Sequence, residues 1–298
     1  HEAFRKELKR QKNAVFSYSP LISIVIVLAD TDVRRLKNAI DAYTDQTYDN
    51  WQLCLVDANE GEETGEFLRK KYKKEIRLSY KKVTENKGIS ENLNAALKLA
   101  MGDYVLFADQ ETVPAPDALF CMVKAVTEKK ADMIYTDEDQ ISVDGKQHYE
   151  PKFKPDFNLY RLRENNYIGR FWAVRKEIME QSGWFNPQYD GAENFDMLLR
   201  CSEQAAQIVH IPRVLCHNMD AGQQLSQEEK QKAGEAGRKA LEEHYHRVQI
   251  PAAVEQTEKS GWYRSHLAIQ GEPLVSIIIP SKDHINDLDL CVTSIEEK

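Results

Sequence analysis

From Pro20 onward the chain alternates between short apolar runs and amphipathic stretches. Residues 21–28 are apolar at every position but Ser23 and rich in β-branched side chains, which predicts a strand covered on both faces. Thr31 stands where a helix can be capped, and Val33, Leu36, Ile40 and Tyr43 then share one face. Residues 51–56 predict a second buried strand, ending at Asp57; residues 62–72 read as a helix and 76–80 as a short strand. Ile89, Leu93, Ala96, Leu97 and Ala100 form a helical stripe, residues 104–107 a strand with Asp109 just beyond it. Leu119, Met122, Val123 and Val126 mark a further helix, and residues 133–135 another strand. Strands separated by helical crossovers predict an α/β fold with a mostly parallel central sheet and helices on both faces. Ligands bind such sheets outside the carboxyl ends of the strands. Asp57, Asp109 and Asp137 each follow a predicted strand, which is the first clue to chemistry.

A weak internal repeat sets the domain plan. Pro20-Leu21-Ile22-Ser23-Ile24-Val25-Ile26-Val27 recurs as Pro273-Leu274-Val275-Ser276-Ile277-Ile278-Ile279-Pro280, and Leu36, Ala39 and Ile40 are echoed by Leu288, Cys291 and Val292. The period is far too long for a solenoid. The expected plan is a charged lead-in at 1–19, a main domain at 20–222, a helical extension and linker at 223–272, and the truncated start of a second copy at 273–298. Within the extension, residues 226–246 read as a charged helix and 261–268 as a short strand or linker. A stub of that length cannot form its own core, so the chain reads as a fragment of a longer protein.

Composition narrows the classes. Of 298 residues, 42% are hydrophobic and 30% charged, ordinary for a protein with a core. The formal charge of −8 argues against a general nucleic-acid binder; the cluster Arg5, Lys6, Lys9, Arg10 and Lys12 reads as a solvated helix or linker. The five cysteines show no CxxC spacing and several sit in apolar runs, which fits buried thiols in a reducing compartment better than disulfides or a zinc site. No apolar run is long enough to span a bilayer and no signal peptide opens the chain, so the expected location is cytoplasmic, or at the inner face of the membrane.

Several segments, in order and spacing, resemble the family 2 glycosyltransferases of GT-A (Rossmann-like) fold. They are Gln46-Thr47-Tyr48-Asp49-Asn50-Trp51, Asn86-Lys87-Gly88-Ile89-Ser90, Gly102-Asp103-Tyr104 and Tyr135-Thr136-Asp137-Glu138-Asp139. Phe153-Lys154-Pro155-Asp156, Asn166-Tyr167-Ile168-Gly169 and His210-Ile211-Pro212-Arg213-Val214-Leu215-Cys216-His217 complete the set. Within the family the pattern is similar to tandem-domain members associated with bacterial surface polysaccharides. The resemblance implies transfer of a sugar from a nucleotide-diphosphate donor to a glycan or lipid-linked glycan acceptor, inverting and metal-dependent, with a glycosyltransferase domain following. Such chemistry needs a divalent cation on hard ligands, Mn2+ or Mg2+, a carboxylate base, and a nucleotide pocket.

Residue by residue, Asp109-Gln110-Glu111 falls where the family carries its DxD metal motif, with a solvated turn before Pro114 as the alternative. His217 matches a histidine used near the metal and diphosphate, or is a hydrogen-bonded histidine closing an apolar segment; His210 reads as structural. Asp57 matches the acidic residue of the nucleotide-binding strand end, or is a turn aspartate. Asp109 would also touch the nucleotide. Asp137, Glu138 and Asp139 lie on the acceptor side in the resemblance; a solvated hairpin turn before Val143-Asp144-Gly145 explains them nearly as well. Lys152, Lys154 and Arg170 would approach a diphosphate or an acidic acceptor, or stay solvated. At the expected base the sequence is Gly191-Ala192-Glu193-Asn194-Phe195-Asp196: an amide, Asn194, occupies the position and cannot take a proton as a carboxylate does. Glu193 could substitute from a shifted loop, Asp196 sits about 200° further round a helix, or both serve a helix N-terminus electrostatically.

Departures at residues 27–30, Ala58, Glu111 and Asn194 keep a second class open: a catalytically degenerate domain that binds glycan or nucleotide for an adjacent glycosyltransferase domain. A dinucleotide-binding dehydrogenase is excluded because no GxGxxG follows the first strand.

Overall fold

The computed structural model describes residues 2–219, 226–269 and 271–297. Its first part alternates as the pattern predicts: β1 Ile22–Leu28, α2 Val33–Thr44, β2 Trp51–Asp57, α3 Glu63–Lys71, β3 Leu78–Lys82, α4 Ile89–Leu97 and β4 Tyr104–Phe107, preceded by α1 Glu2–Lys12. There follow β5 Thr112–Pro114, α5 Ala118–Lys129, β6 Met133–Ile141, β7 His148–Lys152, α6 Leu159–Glu164, β8 Trp172–Arg175 and α7 Lys176–Ser182. The remainder is α8 Glu193–Gln204, β9 Ile208–Met219, α9 Gln227–Arg247, the hairpin β10 Ala252–Gln256 and β11 Tyr263–Leu267, and α10 Ile285–Glu296.

The main sheet has the order β3-β2-β1-β4-β8-β6-β9-β5, with β7 paired to β6. β1 to β4, β6 and β9 run one way, whereas β5, β7 and β8 run the other. The mostly parallel sheet therefore holds, with β8 inserted antiparallel where the strand order turns from the β1 side to the β6 side. Two apolar layers cover its faces. Ile24, Leu36, Leu53, Leu106 and Leu119 belong to one, and Val25, Val105, Trp172, Val174 and Leu198 to the other. Each such side chain removed from water stabilises the fold by about 1.5–3 kcal/mol.

Ser23 breaks the apolar run of β1 for a reason. Its hydroxyl donates to Gln52 Oε1 at 3.0 Å, and Gln52 Nε2 donates on to Ser79 Oγ at 3.0 Å and Leu99 O at 2.9 Å. A polar rung thus crosses β1, β2 and β3 with its partners satisfied. Two local expectations change. Asp32, not Thr31, caps α2, accepting from Arg34 N at 2.8 Å, because Thr31 Oγ1 instead lies 2.7 Å from Gln110 Oε1. The lead-in is also tied to the domain: Gln11 is buried, and its amide oxygen accepts from Thr47 Oγ1 at 3.1 Å.

The expected boundary at 222/223 lies outside the described residues. Beyond it α9 packs on α8, and Phe195 stacks on Tyr263 with ring centroids 5.7 Å apart. Residues 273–280 have no strand partner among the described residues, and Leu274 and Ile278 are 96% and 90% exposed.

The motif Gly102-Asp103-Tyr104 is a structural clamp. Asp103 Oδ2 accepts from Leu21 N at 2.8 Å, Tyr104 donates to Ala131 O at 2.7 Å, and a Cβ on Gly102 would come 2.4 Å from Leu21 O. Backbone cannot retreat as a flexible side chain would. Gly102→Ala should therefore cost about 1–3 kcal/mol; an unchanged midpoint in urea unfolding at 25 °C would contradict the clamp.

Candidate functional site

Asp109 and its neighbours stand at the carboxyl end of β4, and the chain that enters β8 brings Arg170 opposite them. Arg170 Nη1 donates to Asp109 Oδ2 at 3.0 Å. The guanidinium lies in a cleft that solvent still reaches, and Asp109 first, with Glu193 and Glu111, holds it firmly charged. An open ion pair of this kind is worth about 0–1 kcal/mol, so parting it to admit a ligand costs little. Burial, then the Asp109 charge, raises the Glu111 carboxyl above its ordinary pKa. Between the two acids, Gln110 Nε2 donates to Ala29 O at 2.8 Å and pins the turn.

A cavity of about 270 Å³ opens here, with Asp109, Arg170, Glu193 and Asn194 in its wall beside Val27 and Phe107. A second, of about 160 Å³, shares Arg170, Gly191, Glu193 and Asn194 and runs on towards Tyr263. Glu193 is the first residue of α8; its Oε2 accepts from Gly191 N at 2.8 Å, and burial raises its carboxyl pKa. A cavity of about 460 Å³ lies along Gln207 and Val209, at the start of β9. It is the larger space, but it is remote from the strand ends where this class of sheet binds ligands.

The other acids are engaged inside the protein. Asp57, fully buried, accepts from Tyr80 Oη at 2.6 Å and from Asn59 N and Nδ2 at 3.0 and 2.7 Å, with Lys82 Nζ at 3.4 Å. It lines neither cavity at the site. Asp137, Glu138 and Asp139 are not a solvated turn: they are buried within β6, and the turn falls at 142–147. His210 Nε2 and Lys154 N lie 2.8 and 2.9 Å from Asp137 Oδ1, and Lys154 Nζ is 3.1 Å from Glu138 Oε2. Asp139 takes His217 Nδ1 at 2.5 Å on one oxygen and His148 Nδ1 at 2.9 Å on the other.

Asp109, Glu111 and His217 therefore do not form one compact cluster. Among the described residues, the group whose donor atoms all fall within 4.8 Å of one another is Asp139, His148 and His217. β9 places His217 beside Val113 of β5 and Asp139 of β6, so the imidazole turns to the neighbouring strand.

Asn194 and Asp196 part company, as their angular separation on a helix requires. Asn194 Oδ1 accepts from Trp172 Nε1 at 2.7 Å and its Nδ2 donates to Gly169 O at 2.7 Å, so the amide staples α8 to the chain before β8. Asp196 is fully buried against Arg200, which also donates to Gly183 O at 3.3 Å. The structure does not bring Asp196 to the cavity. Its carboxylate neutralises a nearly buried guanidinium.

The model for glycosyl transferase family 2 matches residues 23–183. The chain belongs to this family. The O-antigen biosynthesis protein RfbC of Myxococcus xanthus is 30% identical over 99% of this chain and 23% of its own length. Among solved structures, S. aureus TarS in complex with UDP superposes with a TM-score of 0.56 at 14% identity, over 76% of this chain and 72% of that one. The mannosyltransferase PcManGT of Pyrobaculum calidifontis, in complex with GDP-Man and Mn2+, gives 0.56 at 17% identity over 83% and 71%. These likenesses establish the α/β fold of the family's structures. The chain spans less than a third of the length of the curated relatives it matches nearly end to end.

For this family 2 chain, sequence reasoning missed His148, Asn59 and Tyr80. His148 was within reach: it follows Asp139 by nine residues across a hairpin and faces back onto it. Tyr80 meets Asp57 only through the β2–β3 pairing, whereas Asn59, two residues on, was readable as a local turn partner.

Two substitutions separate structural from chemical roles here. Asp196→Ala should lower stability by about 3–5 kcal/mol, because Arg200 is left uncompensated. Asn194→Ala should cost about 1–3 kcal/mol through the stranded Trp172 donor. Losses below about 1 kcal/mol in urea unfolding at pH 7 would place neither in the framework.

Proposed function

We propose that this chain transfers a sugar from a nucleotide-diphosphate donor to a hydroxyl of a glycan or lipid-linked glycan acceptor in polysaccharide synthesis, with inversion. The observation that carries the reading is the convergence of Asp109, Arg170 and Glu193 on one strand-end cavity. Arg170 would meet the leaving diphosphate, exchanging the Asp109 carboxylate for phosphate oxygens. Glu193 would be the base, and its raised pKa suits proton acceptance near neutral pH. In the displacement, the acceptor oxygen bonds to the anomeric carbon as its proton passes to Glu193, and the diphosphate departs with the electrons of the broken bond.

Asp109 and Glu111 are proposed to hold Mn2+ or Mg2+, their mutual repulsion and hard oxygens fitting such an ion, with His217 joining them only on leaving Asp139. Bound there, the cation would neutralise charge on the leaving diphosphate. Asp139 and His148, which now hold His217, are the competing donors. Asp57 is proposed to shape the nucleotide site through the loop that Asn59 ties to it, and the acids of β6 to frame the acceptor side. The domain plan stays as proposed, with the repeat at residue 273 opening a following glycosyltransferase domain. The five unpaired cysteines favour a cytoplasmic setting, at the inner face of the membrane for a lipid-linked acceptor. No described helix is long and apolar enough to cross a membrane.

One observation favours a non-catalytic domain that binds glycan or nucleotide: Asn194 and Asp57 are both fully engaged in internal hydrogen bonds. Titration with UDP and GDP, with and without Mn2+, separates the two readings when followed by turnover. Metal-dependent nucleotide binding should disappear in Asp109→Asn; loss in His148→Gln instead would assign the ion to the histidine cluster. Glu193→Gln should lower kcat by about 10²–10⁴-fold. Because the ionised carboxylate is the active form and burial raises its pKa, kcat/KM should climb with pH through a value above that of an ordinary glutamate. A glutamine variant with full turnover would remove Glu193 from the mechanism.

A further inference from the structure

A fourth cavity, of about 350 Å³, lies between α6, the end of α9 and the β10–β11 hairpin, with Arg163, Tyr160, Tyr245, Trp262 and Tyr263 in its wall. Arg163 is only 7% exposed. Its Nε donates to His244 Nε2 at 3.1 Å, which leaves the His244 proton on Nδ1, 2.7 Å from Glu203 Oε1. The imidazole beside Arg163 is therefore neutral, and Glu203 is engaged with Arg247 at 2.7 Å. Among the described residues neither Nη of Arg163 donates to a protein group, and neither is sealed from the cavity. Ring faces stand against the guanidinium, Tyr245 at 4.9 Å and Tyr160 at 5.7 Å. A buried cation without an anionic partner is costly, and the open side is where an anion would restore the balance.

The surroundings point the same way. Arg161 and Lys259 lie over Trp262 at 4.7 and 4.1 Å, and Arg264 adds a further charge to the wall. The one acid in the wall, Glu164, is held by Arg161 at 2.7 Å, and Arg264 meets Glu255 at 3.2 Å. In a chain of formal charge −8 this is a local cationic pocket. Tyr160, 73% exposed, offers an aromatic face of the kind on which sugar rings pack. Tyr263 walls both this cavity and the one that contains Arg170 and Glu193. The three spaces thus follow one another from the strand ends to the hairpin.

We propose that the Arg163 cavity is a subsite for an acidic sugar of the acceptor glycan, its carboxylate or phosphate taken by the two Nη groups and its ring laid against Tyr160. The proposal rests on the glycosyl-transfer reading for the word acceptor, but not for the binding itself. Calorimetric titration of the whole chain with tetragalacturonate, mannose 6-phosphate and neutral cellotetraose tests it. The expected result is saturable binding of an acidic probe, with the tighter of the two naming the acid, and affinity for cellotetraose at least tenfold weaker. Arg163→Gln should weaken acidic-probe binding tenfold or more, with Arg163→Lys recovering part of it. Should Arg163→Gln fail to fold, Tyr160→Ala, at an exposed position, should still weaken binding severalfold. Equal affinity for acidic and neutral probes, or binding unmoved by these substitutions, would overturn the subsite. UDP and GDP titrations on the unaltered chain read the donor cavity separately. Failure there with acidic-probe binding intact would sink the transfer reading and leave the subsite standing.

Discussion

A parallel strand covered on both faces has room for charge only at its ends or beside a built-in partner. That constraint organises this molecule. β1 and β2 are almost wholly buried along their length, so the acids of the β2 and β4 connections are pushed to the carboxyl edge of the sheet. Where a charge does enter a strand, as in β6, the neighbouring elements answer it with His210, Lys154, His148 and His217. The antiparallel insertion of β8 then carries Gly169 and Arg170 across to the same edge, and the Asn194 staple holds the start of α8 against them.

The charges of the edge divide by how they are compensated. Asp57, Asp137, Asp139 and Asp196 each have two or more close donors or a buried ion pair, and they build the frame. Asp109, Glu111 and Glu193 are less well served. Asp109 has a partner on a mobile kind of side chain open to water, and burial raises the pKa of both glutamates. A protein keeps such under-compensated charge where a ligand can complete it. Arg163 repeats that logic with opposite sign in the neighbouring cavity, which shares Tyr263 as a wall.

Much of the fold was legible in the sequence because strand burial writes itself as apolar runs and helix burial as stripes. β1, β2, β4 and the helices between them sit close to where the pattern puts them. β6 was read too short, since Asp137-Glu138-Asp139 looks like a turn until its partners are known, and two of those, His210 and His217, lie more than seventy residues away in β9. Thr31 looked like a cap because sequence cannot show that Gln110 claims its hydroxyl. The edge acids were visible from strand boundaries alone, and the family resemblance supplied their order. Which of them are saturated was not, because Tyr80 and Arg170 reach them through tertiary contacts.

The stretch at 273–280 has a consequence of another kind. β1, its near twin in sequence, spends the same apolar, β-branched pattern between two neighbouring strands. Here Leu274, Val275, Ile277 and Ile278 lie 96%, 73%, 56% and 90% exposed. Unpaired backbone next to such side chains is a template for intermolecular pairing. Burial of these four side chains in the following domain proposed for the repeat would remove that template, so the exposure belongs to the segment without its neighbours.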